Sequence, residues 1–417
     1  MTFEAVKTDL SIHLPDRYAE ARGDAGLVYH CICRTLAGRN DAAGWDRFGE
    51  HEWELLARMA EPAVEGVGPL LFWRFRAAGW PAAMPRTIRQ ALERSYYNTL
   101  AYNLLQFKEL EAVSRAYSAA NIPLVILKGA SLAASVYEDE GLRPMGDLDV
   151  LVPLERLGEA VALARRLGFD RGMTEKSPWL NRLLSHHVHL RKQFDHNEIA
   201  LEIHHTLVGT AAYRFGAPVD WFWSQLEPVG LPVRQDGEAR ETEVQALNPT
   251  AQLLFLSAHA YLQHGSGVAR LLWLYDMDQL IRLHGGRIRY ETLFEQAEVF
   301  HWTPAVAEAL SSIRAIFDTP VPEVEIAAAS GRIERGIEDL VSLKRRGPRS
   351  RTELAGRGLR SVKLPARLFL FLAILFPHPD YIRWLYRPRP AWKWPLYYPY
   401  RWLDLLRDAL NSMRGQT

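Results

Sequence analysis

The residue pair best suited to chemistry in this sequence is Asp147 and Asp149, two carboxylates one residue apart within the apolar run DLDVLV. In a β-strand, side chains at positions i and i+2 point to the same face. Both carboxylates are therefore expected to emerge together from an otherwise apolar strand. Two like charges in such a setting are costly unless a cation lies between them, and Mg²⁺ prefers oxygen ligands. The pair predicts a divalent metal site.

A turn that could bind phosphate lies upstream of this pair. The apolar strand 124–127 runs directly into Lys-Gly-Ala-Ser, and a helix follows. Backbone N–H groups at such a turn can bind a triphosphate, and the lysine can neutralise the β- and γ-phosphates. An arginine four residues before Asp147 is a further candidate for phosphate charge. The predicted phosphate-binding residues are Lys128, Gly129, Ala130, Ser131 and Arg143.

Glu202 is a third carboxylate within an apolar strand, in IALEIHHTL. If its strand lies beside that of Asp147 and Asp149, the three carboxylates can hold two metal ions about 4 Å apart, the arrangement used for in-line phosphoryl or nucleotidyl displacement. Glu202 would complete the second metal, which activates the attacking hydroxyl, or would take its proton directly. We expect two Mg²⁺ ions, with Mn²⁺ as the other choice, and Asp147, Asp149 and Glu202 as catalytic metal ligands.

Two further residues are candidates for the pocket. His204 shares a strand face with Glu202 and is expected to line the site. Asp276 lies on an amphipathic helix, six residues after Arg270. It is expected either to pair with an arginine and hold the helices over the site, or to contact the nucleotide.

The elements that must position these residues form a small α/β core between helical regions. Hydrophobic periodicity predicts helices before residue 118, a small mixed sheet of four or five strands with a hairpin of arms 186–194 and 199–207, loops over 208–245, and helices from Pro249 onward. The predicted regions are 1–118 (helical), 119–210 (core), 211–343 (helices that complete the pocket) and 344–417 (basic and aromatic).

Composition narrows the class of protein. The chain has 417 residues, a formal net charge of +1 and two cysteines. Its N-terminus lacks the apolar segment of a signal peptide, and its longest strongly apolar run, 368–376, is too short to span a bilayer. These features predict a cytoplasmic protein. The basic, tryptophan-rich region 344–417 suits peripheral contact with an anionic membrane or nucleic acid, or else a packed cap.

The order of these motifs resembles the nucleotidyltransferase superfamily of the DNA polymerase beta type. A strand, Lys-Gly, a helix, an arginine, DLDVLV and a later LEIHH strand carry the resemblance. Within that superfamily the chain is similar to the bacterial uncharacterised nucleotidyltransferase family, also through His259 to His264, RLLWLYD (270–276), LFP (375–377) and Tyr400-Arg401. The resemblance covers roughly residues 40–410. One departure is Gly129-Ala130 where the superfamily has Gly-Ser or Gly-Gly.

The resemblance implies an α+β fold and a magnesium-dependent transfer of a nucleoside monophosphate from an NTP to a hydroxyl or similar acceptor, with release of pyrophosphate. A small molecule, a sugar or a peptide is the favoured acceptor. Two alternatives stay open: an enzyme that modifies tRNA or another RNA, as in toxin-type relatives, and a non-catalytic nucleotide-binding module in a biosynthetic pathway.

Overall fold

The computed structural model describes residues 23–39, 42–170, 185–194, 197–210, 216–235, 238–264, 269–322, 356, 359 and 362–413. The regions before residue 23 and over 323–355, including part of the basic region predicted from 344 onward, lie outside the described residues.

Within the described residues, five helices precede the first strand: α1 (Asp24–Leu36), α2 (Ala42–Trp45), α3 (Glu50–Ala60), α4 (Gly68–Ala78) and α5 (Arg86–Ala119). The next elements are β1 (Val125–Ile126), α6 (Lys128–Ser135), β2 (Leu148–Leu151), α7 (Leu157–Arg166), β3 (His187–Phe194) and β4 (Asn197–His204). After these come α8 (Asp220–Trp223), β5 (Leu226–Gln235) and β6 (Glu238–Leu247). The later helices are α9 (Pro249–Ala258), α10 (Leu271–His284), α11 (Tyr290–Val299), α12 (Thr303–Phe317), α13 (Leu364–Leu375), α14 (Pro379–Tyr386) and α15 (Tyr397–Met413).

The strands form one mixed sheet of six, in the order β3-β4-β2-β1-β6-β5. β2 runs antiparallel to β1 and parallel to β4, and β1 runs parallel to β6. All four residues of β2 are buried, as expected for a central strand with the near-continuous apolar sequence LDVL. The predicted α+β fold, with a mixed sheet and flanking helices, is confirmed.

The prediction of loops over 208–245 is wrong, because most of this segment is the hairpin β5–β6. The strand pattern is weak in the sequence, because β5 contains Pro228 and Pro232 and β6 is rich in charged residues. β5 is the edge strand of the sheet, where a missing backbone N–H is tolerated. The hairpin is anchored by β6, which pairs with β1 through Val125 and Gln245. The sheet therefore has six strands, more than the four or five expected.

Two buried clusters position the site between them. One lies against the sheet and the long helix α5, and it includes Phe107 and Phe169. The other fills the space among the N-terminal helices and α9–α12, and it includes Phe255 and Trp302. Among the described residues, no helix is both long and apolar enough to cross a membrane.

Candidate active site

The three carboxylates meet where β2 and β4 lie side by side. The parallel register places Asp149 directly opposite Glu202, which confirms the strand pairing that the sequence required. Asp147 immediately precedes β2, and all three side chains line the same cavity. Asp149 is the most deeply buried of them, with 1% of its surface exposed.

Lys128 supplies a positive charge in direct contact with this group. Its Nζ donates to Asp149 Oδ1 at 2.7 Å and lies 4.0 Å from Glu202 Oε2. Lys128 is the first residue of α6 and has a φ of 43°, in the left-handed region that a side-chain-bearing residue seldom adopts. Backbone strain of this kind persists where the surrounding structure imposes it, commonly at functional sites. Here it accompanies a lysine held over the carboxylates.

His204 lies behind the carboxylates rather than on the cavity surface. Its Nε2 is 2.7 Å from Asp149 Oδ1 and 3.5 Å from Glu202 Oε2, and the side chain is fully buried. On the neighbouring strand β3, His187 and His189 approach Glu202 Oε1 at 3.4 and 3.3 Å. Three imidazoles and Lys128 thus surround the Asp149–Glu202 pair.

The pKa values show how this charge is distributed. Burial works against ionisation of Asp149 and of Glu202. For Asp149, the nearby Lys128 and His204 outweigh the effect of burial. For Glu202, His204, His187 and Lys128 together outweigh it. The pKa of Asp149 falls to about 2, and that of Glu202 lies below its usual range. For His204, burial is outweighed by the hydrogen bonds to Asp149 and Glu202, which raise its pKa. Asp147 differs: the charge of Asp149, together with burial, raises its pKa to about 7.

Asp149, Glu202 and His204 form one group whose ligand atoms lie within 4.8 Å of one another, and His186, His187 and His204 form another. Asp149 Oδ2 is buried and has no hydrogen-bond partner among the residues that the structure describes. An unsatisfied carboxylate oxygen of this kind is costly unless a ligand takes it up. The oxygen donors therefore fit a hard divalent cation.

Arg143 and Asp276 form a buried ion pair next to the Lys-Gly-Ala-Ser turn. Arg143 Nε and Nη2 donate to the two carboxylate oxygens of Asp276 at 3.0 and 2.8 Å, and the Tyr137 hydroxyl donates to Oδ1 at 2.6 Å. Asp276 does pair with an arginine, and the pair ties α10 to the loop before β2. A phosphate-binding role for Arg143 remains a prediction, since two of its nitrogens are engaged by Asp276.

The residues of the Lys-Gly-Ala-Ser turn differ in whether they line the cavity. Gly129 lines the cavity, and a Cβ at this position would lie 2.7 Å from Arg143 Nη1, so the close approach requires glycine. Ala130 and Ser131 are buried. The Ser131 hydroxyl accepts a hydrogen bond from Gln252 Nε2 at 3.2 Å. The structure thus brings Lys128 and Gly129, but not the side chains of Ala130 and Ser131, to the cavity.

The cavity has a volume of about 450 Å³, within the range of about 300–1,000 Å³ typical of small-molecule sites. Its opposite wall comes from the start of α10 and from residues 259–264, which form a π-helical turn, a feature frequent at functional sites. The side chains on this wall are His259, Gln263, His264, Arg270 and Trp273.

A larger groove of about 870 Å³ adjoins this cavity, and both are lined by Pro62, Pro144 and Met145. Its walls come from α3, α5 and the start of β4. Tyr102 lines the groove, and its pKa is raised by burial, then by the charges of Glu198 and Asp147. The groove therefore meets the cavity at Pro144 and Met145, in the segment just before Asp147.

Sequence reasoning missed two contributors to the site. Tyr137 completes the surroundings of Asp276, although it lies in a segment with no distinctive pattern. Gln263 bonds through Nε2 to His186 Nε2 at 3.2 Å and lines the cavity wall. For the contacts between β3 and Glu202 a signal did exist, because His187 and His189 alternate on one strand face.

The carboxylates beside a mixed sheet, the lysine-glycine turn next to them and the helical residues that line the rest of the cavity agree with the arrangement expected of a nucleotidyltransferase. The model of the uncharacterised nucleotidyltransferase family matches residues 49–318, and the chain belongs to that family. It is therefore a transferase whose substrate class is nucleoside triphosphates. No match is found among curated proteins or among solved structures.

Proposed function

We propose that this protein transfers a nucleoside monophosphate from an NTP to an acceptor held beside Asp147, in a reaction that depends on Mg²⁺. The observation that carries the proposal is the charge of the cavity. Three carboxylates line it, Lys128 and His204 neutralise Asp149 and Glu202, and Asp147 is left with a pKa of about 7. A site built with one carboxylate more than its own cations can neutralise is suited to bind an added cation.

Asp147, Asp149 and Glu202 are the residues that would hold the metal, through the unsatisfied Oδ2 of Asp149 and the cavity-facing oxygens of the other two. Mn²⁺ is the second choice, because it accepts the same carboxylate oxygen ligands. When bound, such ions neutralise phosphate charge and activate the attacking hydroxyl.

The protein's own groups divide the remaining work. Lys128 reaches the carboxylates from the start of α6, where its ammonium can also meet the triphosphate, and the cavity-facing Gly129 lets phosphate approach the backbone. Because the pKa of Glu202 lies below its usual range, this carboxylate is a poor proton acceptor. Of the two roles expected for Glu202, metal ligand is therefore favoured over general base.

The groove of about 870 Å³ supports an acceptor that enters from the α5 side. It meets the nucleotide cavity at Pro62, Pro144 and Met145, so an acceptor lying in it would present its reactive group next to Asp147. Asn98 and Asn197 offer uncharged hydrogen-bonding groups along it, and the charged residues of its lining are two acids, Glu61 and Glu198, and one base, Arg94. Such a lining suits a sugar, a peptide or a small polar molecule better than a polyanionic RNA.

The test compares NTPs labelled with ³²P at the α or the γ position, each incubated with the protein, Mg²⁺ and cell extract. Nucleotidyl transfer moves only the α label into acceptor material, whereas phosphoryl transfer moves the γ label. Asp149→Asn should abolish α-label transfer, and EDTA should do the same. Glu291→Gln, an exchange at an exposed acid, is the matched control. Undiminished transfer by Asp149→Asn would refute the metal assignment, and loss of the labelled product on ribonuclease treatment would identify RNA as the acceptor.

A further inference from the structure

The end of the described chain exposes an unusual amount of apolar surface. Of the eighteen large apolar side chains exposed among the described residues, thirteen lie between Leu364 and Leu410. Scattered exposed leucines are normal, but a concentration in one short region marks an interaction surface. This region, residues 363–413, is called the C-terminal surface below.

Helix α13 (Leu364–Leu375) turns its large side chains away from the protein. Ala366 and Ala373 are its buried residues, whereas Leu364 and Leu368 are 75% and 61% exposed, and Phe371 is 47% exposed. Positions 364, 368 and 371 follow the i, i+4, i+7 spacing of one helix face. The helix therefore presents a stripe of leucine and phenylalanine outward.

Helix α15 (Tyr397–Met413) has the same inverted arrangement. Leu403, Leu406 and Leu410, at i, i+3 and i+7, are exposed, while Asp404 and Asp408 are partly buried. A helix that caps a soluble core places its leucines inward and its aspartates outward. In α15 the leucine stripe is left on the outside.

Direct hydrogen bonds join the two helices into one surface. Trp402 Nε1 on α15 donates to the Leu375 carbonyl at 2.8 Å, and Arg401 Nε donates to the Ile374 carbonyl at 3.2 Å. The apolar stripes thus belong to a single structural unit.

The C-terminal surface is also basic and aromatic. Residues 363–413 contain eight lysines and arginines and three aspartates, with no glutamate. Lys393 lies 5.8 Å from the ring of Trp392, and Arg383 lies 5.2 Å from the ring of Trp394. Tryptophan, tyrosine and long basic side chains beside exposed leucine and phenylalanine are the composition of segments that lie at a membrane interface.

We propose that the C-terminal surface binds the surface of a membrane rich in anionic lipids, with α13 and α15 lying in the plane of the interface. α13 has 12 residues, so at about 1.5 Å per residue it is about 18 Å long and cannot span a hydrocarbon core of about 30 Å. Its exposed leucines and phenylalanine enter the acyl boundary, and the lysines and arginines meet the lipid phosphates. A second copy of the chain is a poorer occupant, since two surfaces of the same positive charge would repel each other.

This inference does not depend on nucleotidyl transfer and is tested without nucleotide. The full-length protein is floated with vesicles of phosphatidylcholine alone or with about one third phosphatidylglycerol. We expect at least tenfold tighter partitioning onto the anionic vesicles, weakened as salt is raised. The variant Phe371→Ser with Leu406→Ser should lose at least tenfold of that partitioning. The pair Leu283→Ser with Val299→Ser, at equally exposed positions outside the C-terminal surface, is the control and should bind as the wild type does.

Three results would overturn the proposal. One is an absence of binding to anionic vesicles, and another is equal binding to both vesicle types. The third is a concentration-dependent dimer in light scattering that the Phe371 and Leu406 substitutions dissociate, which would identify a second copy as the occupant. Asp149→Asn should bind vesicles as the wild type does. Vesicle binding therefore tests the membrane proposal even if the proposal of nucleotidyl transfer fails.

Discussion

Replacing Asp147 with asparagine should stabilise the metal-free protein at neutral and alkaline pH. The charge of Asp149 and burial raise the pKa of Asp147 from 3.8 to about 7. Folding therefore favours the neutral carboxyl, and the cost of ionising it is absent below about pH 4, grows as the pH rises and is complete above about pH 7. Asparagine carries no charge and avoids this cost.

The magnitude follows from the two pKa values. At 1.36 kcal/mol per pH unit, the difference between 3.8 and about 7 corresponds to about 4 kcal/mol at pH 8. Asp147 is half-buried, so water screens part of the repulsion, and we expect about 2 kcal/mol in the free energy of unfolding. The gain at pH 5 should be less than half of that at pH 8.

The assay is urea denaturation in EDTA at pH 5 and pH 8, followed by tryptophan fluorescence. Asp46→Asn, at an exposed position outside the cavity lining, is the matched control and should change stability little at either pH. Saturating Mg²⁺ should stabilise the wild type more than the variant, because the ion binds the native carboxylates. If Asp147→Asn is less stable than the wild type at pH 8 in EDTA, or if its gain does not change with pH, the assignment of repulsion between Asp147 and Asp149 is refuted.

Three further outcomes are expected. Glu202→Gln should lower the rate of α-label transfer at least a hundredfold with an unchanged far-ultraviolet circular dichroism spectrum. A smaller loss would show that Glu202 is not one of the required metal ligands. Arg143→Ala and Asp276→Ala should each cost about 3–5 kcal/mol in urea denaturation, because each leaves an uncompensated buried charge, and the double variant should cost clearly less than their sum; additive losses would show that the pair is not coupled. Gly129→Ala should lower the free energy of unfolding by about 1–3 kcal/mol, because the added methyl group would contact Arg143. Gly146→Ala, with open space around it, should lower it by less than about 1 kcal/mol. Equal effects of the two substitutions in differential scanning calorimetry would contradict this geometry.

Much of the central sheet could be predicted from sequence because its signals are local. A charged residue inside an apolar strand is visible without knowledge of the fold, and this local signal predicts Asp149 and Glu202 as site residues. Their pairing needed only the assumption that β2 and β4 are neighbours, which the register confirms. The hairpin 187–204 was visible for the same reason, since its alternation is regular.

Other features depend on contacts between distant segments, which local patterns do not encode. Arg143 and Asp276 are 133 positions apart, so the sequence predicts that Asp276 pairs with an arginine but does not identify which arginine. The proline-containing strand β5 belongs to the sheet because β6 pairs with β1, more than a hundred positions earlier. The lysine-carboxylate contact of Lys128 follows from a backbone conformation at the start of α6 that lysine rarely adopts.

The residues that line the carboxylate cavity come from separate parts of the chain. The carboxylates belong to the sheet, and the facing side chains belong to residues 256–276. On the proposed function, the residues that hold the metal and the residues that face them are therefore encoded in different segments, so a mutation in one segment can leave the other unchanged. On that proposal, variants randomised at Gln263, His264 and Trp273, with the sheet left intact, should differ in their choice of donor nucleotide and keep the same dependence on Mg²⁺.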